Sequence, residues 1–155
     1  MREATSEDAR ALHALGVELA DALGDRRPEI GAVQARLSEL LEEPRARVLV
    51  AQDEAAGAVV GAASLWIKPD LAHGDRVVEV PMLVVSGKAR RRGVGKLLVE
   101  EILSIVAEDA ALIELVATRN NDVARAFYRA LGFVETDHVA LEFIGDAQNP
   151  PDPKE

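Results

Sequence analysis

The chain has 155 residues, of which 48% are hydrophobic and 29% charged, a composition typical of one globular domain and unlike that of a disordered chain. It contains no cysteine, which excludes disulfides, thiolate metal sites and cysteine nucleophiles, and its three scattered histidines do not predict a metal site. The formal net charge of −9 disfavours nonspecific binding to nucleic acid and favours a cationic substrate.

The first third of the chain predicts two amphipathic helices. The first begins after a capping-box pattern, Thr5 followed by Asp8, and ends at Gly24. Its apolar stripe consists of Leu12, Leu15, Leu19 and Leu23. The second helix has Pro28 at its first helical position and is closed by Pro44. Its apolar stripe consists of Ile30, Val33, Leu37, Leu40 and Leu41.

Three strand-like runs follow. Val48 to Gln52 and Ala58 to Ile67 are separated by a short polar loop and predict a hairpin. Val77 to Val85 is almost continuously apolar, which predicts a strand covered on both faces near the middle of a sheet. Pro81 interrupts this run, and because proline cannot donate to a ladder it predicts a bulge or a place where neighbouring strands separate.

The rest of the chain alternates between helix and strand. Past Gly95 the apolar residues follow a helical period as far as Val106. Asn121 can cap a later helix, and Gly132 can take the left-handed position that ends it. The further predicted elements are a strand from Leu112 to Thr118, a helix from Asp122 to Leu131 and a strand from Phe133 to Phe143.

This order predicts an α+β fold, or mixed α/β, with a mixed sheet. We expect a single domain over residues 1–147 and a disordered tail over residues 148–155. The sequence has no membrane-spanning apolar run and no signal-peptide pattern, so we expect a cytoplasmic protein. An exposed edge at the C-terminal strands, or the region of Trp66, would allow a homodimer.

The segment from Ser86 to Lys96 lies between a predicted buried strand and a predicted helix. A helix N-terminus leaves about four N–H groups unbonded and carries a positive partial charge, so a glycine-containing loop leading into it suits a phosphate group. Arg90, Arg91 and Arg92 would add fork-shaped cationic donors. The alternative is that these arginines are solvated and the glycines only shape a turn.

Two nucleotide-binding motifs do not fit this segment. A Walker loop ending at position 96 needs glycine in place of Arg90 and serine or threonine in place of Leu97. A dinucleotide fingerprint beginning at Gly93 needs a third glycine in place of Leu98. What remains is a phosphate cradle with the pattern Arg-x-x-Gly-x-Gly.

The chain contains two sequence motifs that carry a resemblance to a known family. The first is Arg90-Arg91-Arg92-Gly93-Val94-Gly95, and the second is residues 121–133, with the sequence NDVARAFYRALGF. They resemble the pyrophosphate motif and the Asn-x-x-Ala-x-x-Phe-Tyr-x-x-Leu-Gly-Phe helix of the GNAT superfamily of acyl-CoA-dependent N-acyltransferases. The resemblance extends more loosely from residue 5 to residue 143.

The resemblance implies a central mixed, mostly antiparallel sheet with a splayed middle, flanked by about four helices. It also implies acetyl-CoA, or another acyl-CoA, as the co-substrate. Because a thioester carbonyl is already electrophilic, chemistry with this donor needs no metal. The pyrophosphate would be held by N–H groups from Arg91 to Lys96, and the strand before them would line the pantetheine arm. The implied donor-binding residues are Leu83, Val84, Val85, Arg90, Arg91, Arg92, Gly93, Val94, Gly95, Lys96, Asn121 and Tyr128.

Two residues are candidates for proton transfer. Tyr128 matches the family's tyrosine that protonates the leaving sulfur, although as a bare Phe-Tyr pair it would equally fit a core role. Glu79 corresponds in position to the catalytic glutamate of histone-type members, and burial would equip it to accept a proton. His73, Asp75 or water are alternatives for the base. His13 and His138 are not expected to take part in the chemistry.

The resulting hypothesis is an N-acetyltransferase in which a primary amine attacks the thioester directly in a ternary complex, since the chain has no cysteine for an acyl-enzyme. A catalytically degenerate acyl-CoA sensor or assembly module is the alternative. A nucleic-acid-binding role for the three arginines is disfavoured by the net charge. Acidic residues such as Asp70 and Asp75 favour a cationic small-molecule or peptide amine, with no membrane partner.

Overall fold

The protein is described here by a computed structural model of residues 1–107, 112–143 and 148. The chain divides into two compact units, Met1–Asn120 and Asn121–Glu155. The tail expected over residues 148–155 lies outside the described residues except for Gln148. None of the described helices is both long and apolar enough to cross a membrane.

The unit Met1–Asn120 contains a five-stranded sheet in the order β1-β2-β3-β4-β5. Strands β1 to β4 pair antiparallel with one another, and β5 runs parallel to β4. Its described elements are β1 (Arg2–Glu3), α1 (Ala9–Leu23), α2 (Ile30–Glu42), β2 (Ala46–Gln52), β3 (Val59–Asp70), β4 (Asp75–Val85), α3 (Val94–Val106) and β5 (Leu112–Glu114). The other unit contains α4 (Asp122–Ala130). The expected α+β fold with a mixed sheet is confirmed.

The helix ends follow local chemistry. Before α1 the backbone N–H of Thr5 donates to the Asp8 carboxylate at 2.8 Å, and after it Gly24 takes the left-handed conformation with φ 70°. Both the capping pattern of Thr5 with Asp8 and the helix end at Gly24 are found as predicted. Pro28 is not the first residue of α2, because Glu29 is still extended and acts as the N-cap.

The core has one layer on each face of the sheet. On one face α1 and α2 pack against the strands, and the buried residues there are Leu12, Leu15, Leu37, Val48, Val50, Ala62 and Val84. On the other face α3 packs against the strands, and the buried residues there are Leu49, Ala63, Leu65, Val78, Val80, Leu98, Ile102 and Val106. Burial on alternating faces explains why these strands are rich in apolar residues at almost every position.

The middle of β4 is irregular, as Pro81 predicts. Trp66 pairs with Glu79 and Ser64 with Met82, so that two residues of β4, Val80 and Pro81, lie opposite one residue of β3. This is a β-bulge. On the other side of β4, pairing with β5 stops at Glu79, two residues before the proline. Both predicted consequences of Pro81 are therefore found, and strands β4 and β5 part at the bulge.

Two predictions for the C-terminal third are wrong. The strand expected from Leu112 to Thr118 ends at Glu114, and residues 133–143 form neither helix nor strand. The alternation of apolar and polar residues there satisfies the local pattern of a strand. A strand also needs a neighbour to bond with, however, and no described residue of the unit Asn121–Glu155 pairs with this segment.

Candidate functional site

The loop from Ser86 to Gly93 connects β4 to α3 through two left-handed residues. A short 3₁₀ turn, Gly87–Ala89, is followed by Arg90 in an extended conformation. Arg91 then has φ 63°, and Gly93, the N-cap of α3, has φ 80°. Glycine adopts this conformation freely, whereas for arginine it costs roughly 1–2 kcal/mol. The loop is therefore held in a shape that an arginine does not favour.

The N-terminus of α3 presents unbonded amides. The first intrahelical bond runs from the N–H of Leu97 to the carbonyl oxygen of Gly93, at 3.1 Å, and no side chain caps this end. Within the described residues, no acceptor is bonded to the N–H groups of Val94, Gly95 and Lys96. With the positive end of the helix dipole, these three amides suit an anion such as a phosphate.

The three arginines of the loop differ in what they contact. The guanidinium of Arg92 donates to the Asp53 carboxylate at 3.2 Å, so it is turned toward the β2–β3 connection. Arg90 and Arg91 are exposed and make no ion pair within the described part of the chain. The expectation that all three guanidinium groups surround one anion is therefore not met by Arg92, whose guanidinium contacts Asp53.

Asp53 is itself firmly held. Its carboxylate accepts from the backbone N–H groups of Ala55 and Ala56, at 2.9 and 3.3 Å, as well as from Arg92. The bonds from Ala56 and Ala55, followed by the one from Arg92, lower the pKa of the Asp53 carboxyl below its ordinary value. The Asp53 carboxylate is therefore charged and held in place at the start of the β2–β3 connection.

The parting of β4 from β5 leaves backbone groups of β4 without a strand partner. Ser86 donates to the carbonyl of Val60 at 2.8 Å, and in an antiparallel ladder bonded and non-bonded pairs alternate. Val84 consequently bonds with Ala62 of β3, while the N–H and C=O groups of Leu83 and Val85 point away from β3. On that side no described strand pairs with β4 beyond Glu79. Val84 was expected to face the gap as well, but its backbone groups face β3.

Gly61 brings α3 close to the sheet. A Cβ at this position would lie 2.9 Å from Cγ1 of Val94 and 3.2 Å from the carbonyl oxygen of Val84. No side chain larger than hydrogen fits there without movement of the first turn of α3. The position of the free amides relative to β4 thus depends on a glycine in β3.

Glu79 lies at the point where β4 and β5 part. Its carboxylate forms an ion pair with the ammonium of Lys68, a residue of β3, and its side chain is 43% exposed. The burial expected for this residue is not found. A carboxylate in this position can accept a proton, but an incoming ammonium has to compete with Lys68 for it.

The alternative bases lie farther along the β3–β4 hairpin. His73 Nδ1 contacts the Asp70 carboxylate at 2.5 Å, and this contact raises the pKa of His73. Asp75 pairs with Asp70 at the hairpin end, four residues before Glu79. Four residues of strand span about 13 Å, so the structure separates these groups from Glu79.

The unit Asn121–Glu155 carries the second motif on α4. The side-chain oxygen of Asn121 accepts from the backbone N–H of Ala124 at 3.1 Å, which confirms the N-cap prediction. The Tyr128 ring lies edge-on to Phe127 and Phe133, with centroid distances of 5.2 and 5.6 Å. Burial raises the pKa of the Tyr128 phenol. At neutral pH this phenol is a proton donor.

Several contacts at the site cannot be seen in the sequence. Glu18 of α1 accepts from the N–H of Gly87 at 2.9 Å and from the Ser86 hydroxyl at 3.2 Å. Lys68 and Asp53 are likewise partners from other elements. No motif marks any of these residues, because each pairing joins positions that are brought together only by the fold.

Comparison with known proteins agrees with this geometry. A family model described as the acetyltransferase (GNAT) family matches residues 10–133. No curated protein matches the sequence. A transcriptional regulator from Bacillus halodurans C-125 superposes with a TM-score of 0.80 and 22% identity, covering 91% of this chain and 95% of that one.

Two further structures have names that state an activity. An acetyltransferase from Trypanosoma brucei superposes with a TM-score of 0.72 and 24% identity, covering 91% of this chain and 96% of that one. A ribosomal-protein-alanine N-acetyltransferase from Brucella melitensis biovar Abortus 2308 gives 0.74 and 22%, covering 93% and 97%. These likenesses establish a shared fold.

The match of the family model over most of the chain establishes more than the fold. The chain belongs to the GNAT family and is an acetyltransferase. The acyl donor that this family normally uses is acetyl-CoA.

Proposed function

We propose that this protein transfers an acetyl group from acetyl-CoA to a primary amine by direct attack within a ternary complex, and that residues 1–147 make up its single acetyltransferase domain. The observation that carries the proposal is the set of unbonded amides of Val94, Gly95 and Lys96, which follow a left-handed glycine at the start of α3. These amides have no acceptor among the residues that the structure describes, and such a set suits a diphosphate.

Donor binding is assigned to two neighbouring backbone surfaces. The N–H groups from Arg91 to Lys96 hold the pyrophosphate, and Arg90 adds positive charge beside them. The free N–H and C=O groups of Leu83 and Val85 bind the amide groups of the pantetheine arm as an added strand would. Asn121 is a further donor-binding residue, and its side-chain oxygen already serves as the cap of α4.

The proposed chemistry assigns each proton and charge to a group of this chain. Acetyl-CoA, when bound, supplies an electrophilic thioester carbonyl and a thiol leaving group. A free N–H of β4 stabilises the negative charge that develops on the carbonyl oxygen. Glu79 accepts one proton from the acceptor ammonium, directly or through water, and the neutral amine nitrogen then forms a bond to the carbonyl carbon. As the carbon–sulfur bond breaks, Tyr128 donates its proton to the departing sulfur, and the second proton of the amine nitrogen returns to the Tyr128 oxygen, directly or through water.

The acceptor is proposed to be a cationic amine, either a small molecule or the terminus of a peptide. The net charge of −9 supports this class because it attracts cations over long range. Glu79 is at hand to receive the ammonium, although Lys68 occupies it in the free protein.

A second candidate is a donor-binding protein without turnover, which would act as a sensor of acyl-CoA. The ion pair of Glu79 with Lys68 favours it, because the carboxylate already has a cationic partner at the place where the acceptor ammonium would bind. The two candidates agree on donor binding and differ in whether an amine is acetylated.

Calorimetric titration with acetyl-CoA, followed by a thiol-release assay with a panel of amines, tests both candidates. We expect donor binding and thiol release with at least one primary amine. Absence of binding at millimolar acetyl-CoA would contradict both candidates, and binding without thiol release from any amine would leave the sensor.

Substitution Gly93→Asp checks the location of donor binding. Open space surrounds the site of the new side chain, so the protein should fold, with a cost of roughly 1–2 kcal/mol for the left-handed backbone. The added carboxylate repels a diphosphate, so calorimetry should detect no binding. Donor affinity like that of the wild type would place the pyrophosphate elsewhere.

A further inference from the structure

Two carboxylates from distant elements hold the loop Ser86–Gly93. Glu18 of α1 accepts from the N–H of Gly87, at 2.9 Å, near the start of the loop. Asp53 accepts from the guanidinium of Arg92, at 3.2 Å, next to the left-handed Gly93. The two carboxylates precede their loop partners by 69 and 39 residues, so each one joins a separate part of the fold to the loop.

The loop needs such anchors because its backbone is unfavourable. Arg91 is in the left-handed region, which a side chain other than that of glycine or asparagine rarely adopts. The residue after it is fixed by Asp53, and Asp53 is fixed by the amides of Ala55 and Ala56. A conformation of this kind persists only where the surroundings determine it.

We propose that Glu18 and Asp53 are positioning residues that hold the loop Ser86–Gly93 in the conformation that binds the pyrophosphate of acetyl-CoA. The inference rests on the proposed donor site. The inference can be tested by the direction in which substitution of these carboxylates changes the affinity for acetyl-CoA. Two carboxylates beside an anion site repel the anion, so electrostatics alone predicts tighter donor binding when their charge is removed. Positioning predicts weaker binding.

Three substitutions separate these effects. Glu18→Ala removes both hydrogen bonds, whereas Glu18→Gln removes the charge but keeps an oxygen for the N–H of Gly87 and an NH₂ group that can donate to Ser86. Asp53→Asn keeps one oxygen for Ala55 and Ala56 and removes the carboxylate oxygen that Arg92 contacts. Glu39→Gln, on the exposed side of α2, is the control for loss of one charge.

Dissociation constants of acetyl-CoA from calorimetry, steady-state constants with an amine substrate and urea unfolding are then compared. We expect Glu18→Ala and Asp53→Asn to weaken donor binding about tenfold, which raises KM for acetyl-CoA while kcat at saturating donor stays unchanged. Glu18→Gln should bind nearly as the wild type does, and Glu39→Gln should not differ from it.

The outcomes are distinct. Tighter binding in Asp53→Asn, or equal effects of Glu18→Ala and Glu18→Gln, would show that charge and not position matters, and would overturn the inference. Unchanged donor affinity in Glu18→Ala and Asp53→Asn, with or without a loss of stability, would also overturn it. If Glu18→Ala does not fold, Asp53→Asn decides alone. Failure of the wild-type protein to bind acetyl-CoA would instead refute the proposed function.

Discussion

At the scale of single residues, the ring and the hydroxyl of Tyr128 have different roles: the ring packs against other aromatic rings, and the hydroxyl is available for proton transfer. Phe127 and Phe133 contact the ring edge-on, so phenylalanine in its place would keep the packing. Because burial raises the pKa of the phenol, the hydroxyl remains protonated across the neutral and mildly alkaline range. The residue is therefore suited to give a proton and not to take one.

Substitution Tyr128→Phe should lower kcat by about 10²- to 10⁴-fold, the usual contribution of a general acid, and leave the dissociation constant of acetyl-CoA nearly unchanged. Steady-state kinetics and calorimetry measure the two quantities. For the wild type, the raised pKa predicts that any loss of kcat through deprotonation of Tyr128 has its midpoint above the ordinary tyrosine value of about 10. Unaltered turnover in Tyr128→Phe would remove this residue from the mechanism.

Because Glu79 and Lys68 form an ion pair, we expect substitutions of the two residues to change kcat/KM in opposite directions. Glu79→Gln should lower kcat/KM about 100-fold or more if the carboxylate is the base. Lys68→Met should raise kcat/KM for a primary amine, because the cation that competes with the acceptor is gone. Glu114→Gln, at the position paired with Glu79 on β5, is the matched control. Normal kinetics of Glu79→Gln would assign the base role to water or to another group.

At the scale of elements, the contact between α3 and the sheet controls where the free amides lie. Gly61→Ala places a methyl group 2.9 Å from Val94, the first residue of α3. We expect a loss of about 1–3 kcal/mol in the free energy of unfolding and weaker binding of acetyl-CoA, because the first turn of the helix must shift. Urea unfolding and calorimetry measure the two effects.

Gly31→Ala provides the control for this prediction. Gly31 lies exposed in the first turn of α2 with open space around it, so alanine there should raise the free energy of unfolding by less than the roughly 1 kcal/mol expected in a helix interior, without any change in donor affinity. If Gly61→Ala behaves in the same way, the close approach of α3 to β3 has no bearing on the donor site.

Elements with strong local signals could be predicted from the sequence, and those that depend on a neighbour could not. Gly24 and Asn121 mark helix ends by their own backbone and side-chain chemistry, and both are found where the sequence places them. Pro81 marks a bulge because it lacks an N–H. The segment Phe133–Phe143 has the alternation of a strand but pairs with no described strand of its unit, and no local signal reports that.

In the candidate site too, features with a local sequence signal could be predicted, and contacts with distant residues could not. The free amides at the start of α3 could be predicted, because a glycine before an amphipathic run defines a helix start without a cap. The partners Glu18, Asp53 and Lys68 could not, because a pairing across tens of residues depends on the register of the sheet and the packing of α1. Even for Glu79, eleven residues from Lys68, the hairpin register decides the contact.

At the scale of the whole molecule, the carboxylates determine how stability depends on pH. Asp8 is buried, and the Arg2 guanidinium and the Thr5 amide lower its pKa. A group whose pKa is lower in the folded state stabilises the fold above its unfolded pKa, which is about 3.9 for aspartate, and this contribution disappears as the pH falls through the folded value. The protein should therefore lose stability in acid.

Asp8→Asn tests this assignment. At pH 7 we expect the free energy of unfolding to fall by about 1–2 kcal/mol, since the amide replaces a charged partner of Arg2 and a capping carboxylate. As the pH falls through the lowered pKa of Asp8 in the folded state, the difference between variant and wild type should shrink, because the carboxyl becomes protonated. Urea unfolding from pH 2 to pH 7 measures both curves, and a constant difference over this range would contradict the prediction.

The gap between β4 and β5 also limits how stable the protein can be on its own. On the side of β4 that faces β5, the backbone groups of Leu83 and Val85 have no strand partner among the described residues, whereas a continuous ladder would bond them. A molecule that fills this wedge completes the hydrogen bonding that the chain omits and adds its binding free energy to that of folding. If acetyl-CoA binds in this gap as proposed, the melting temperature should rise with the concentration of acetyl-CoA.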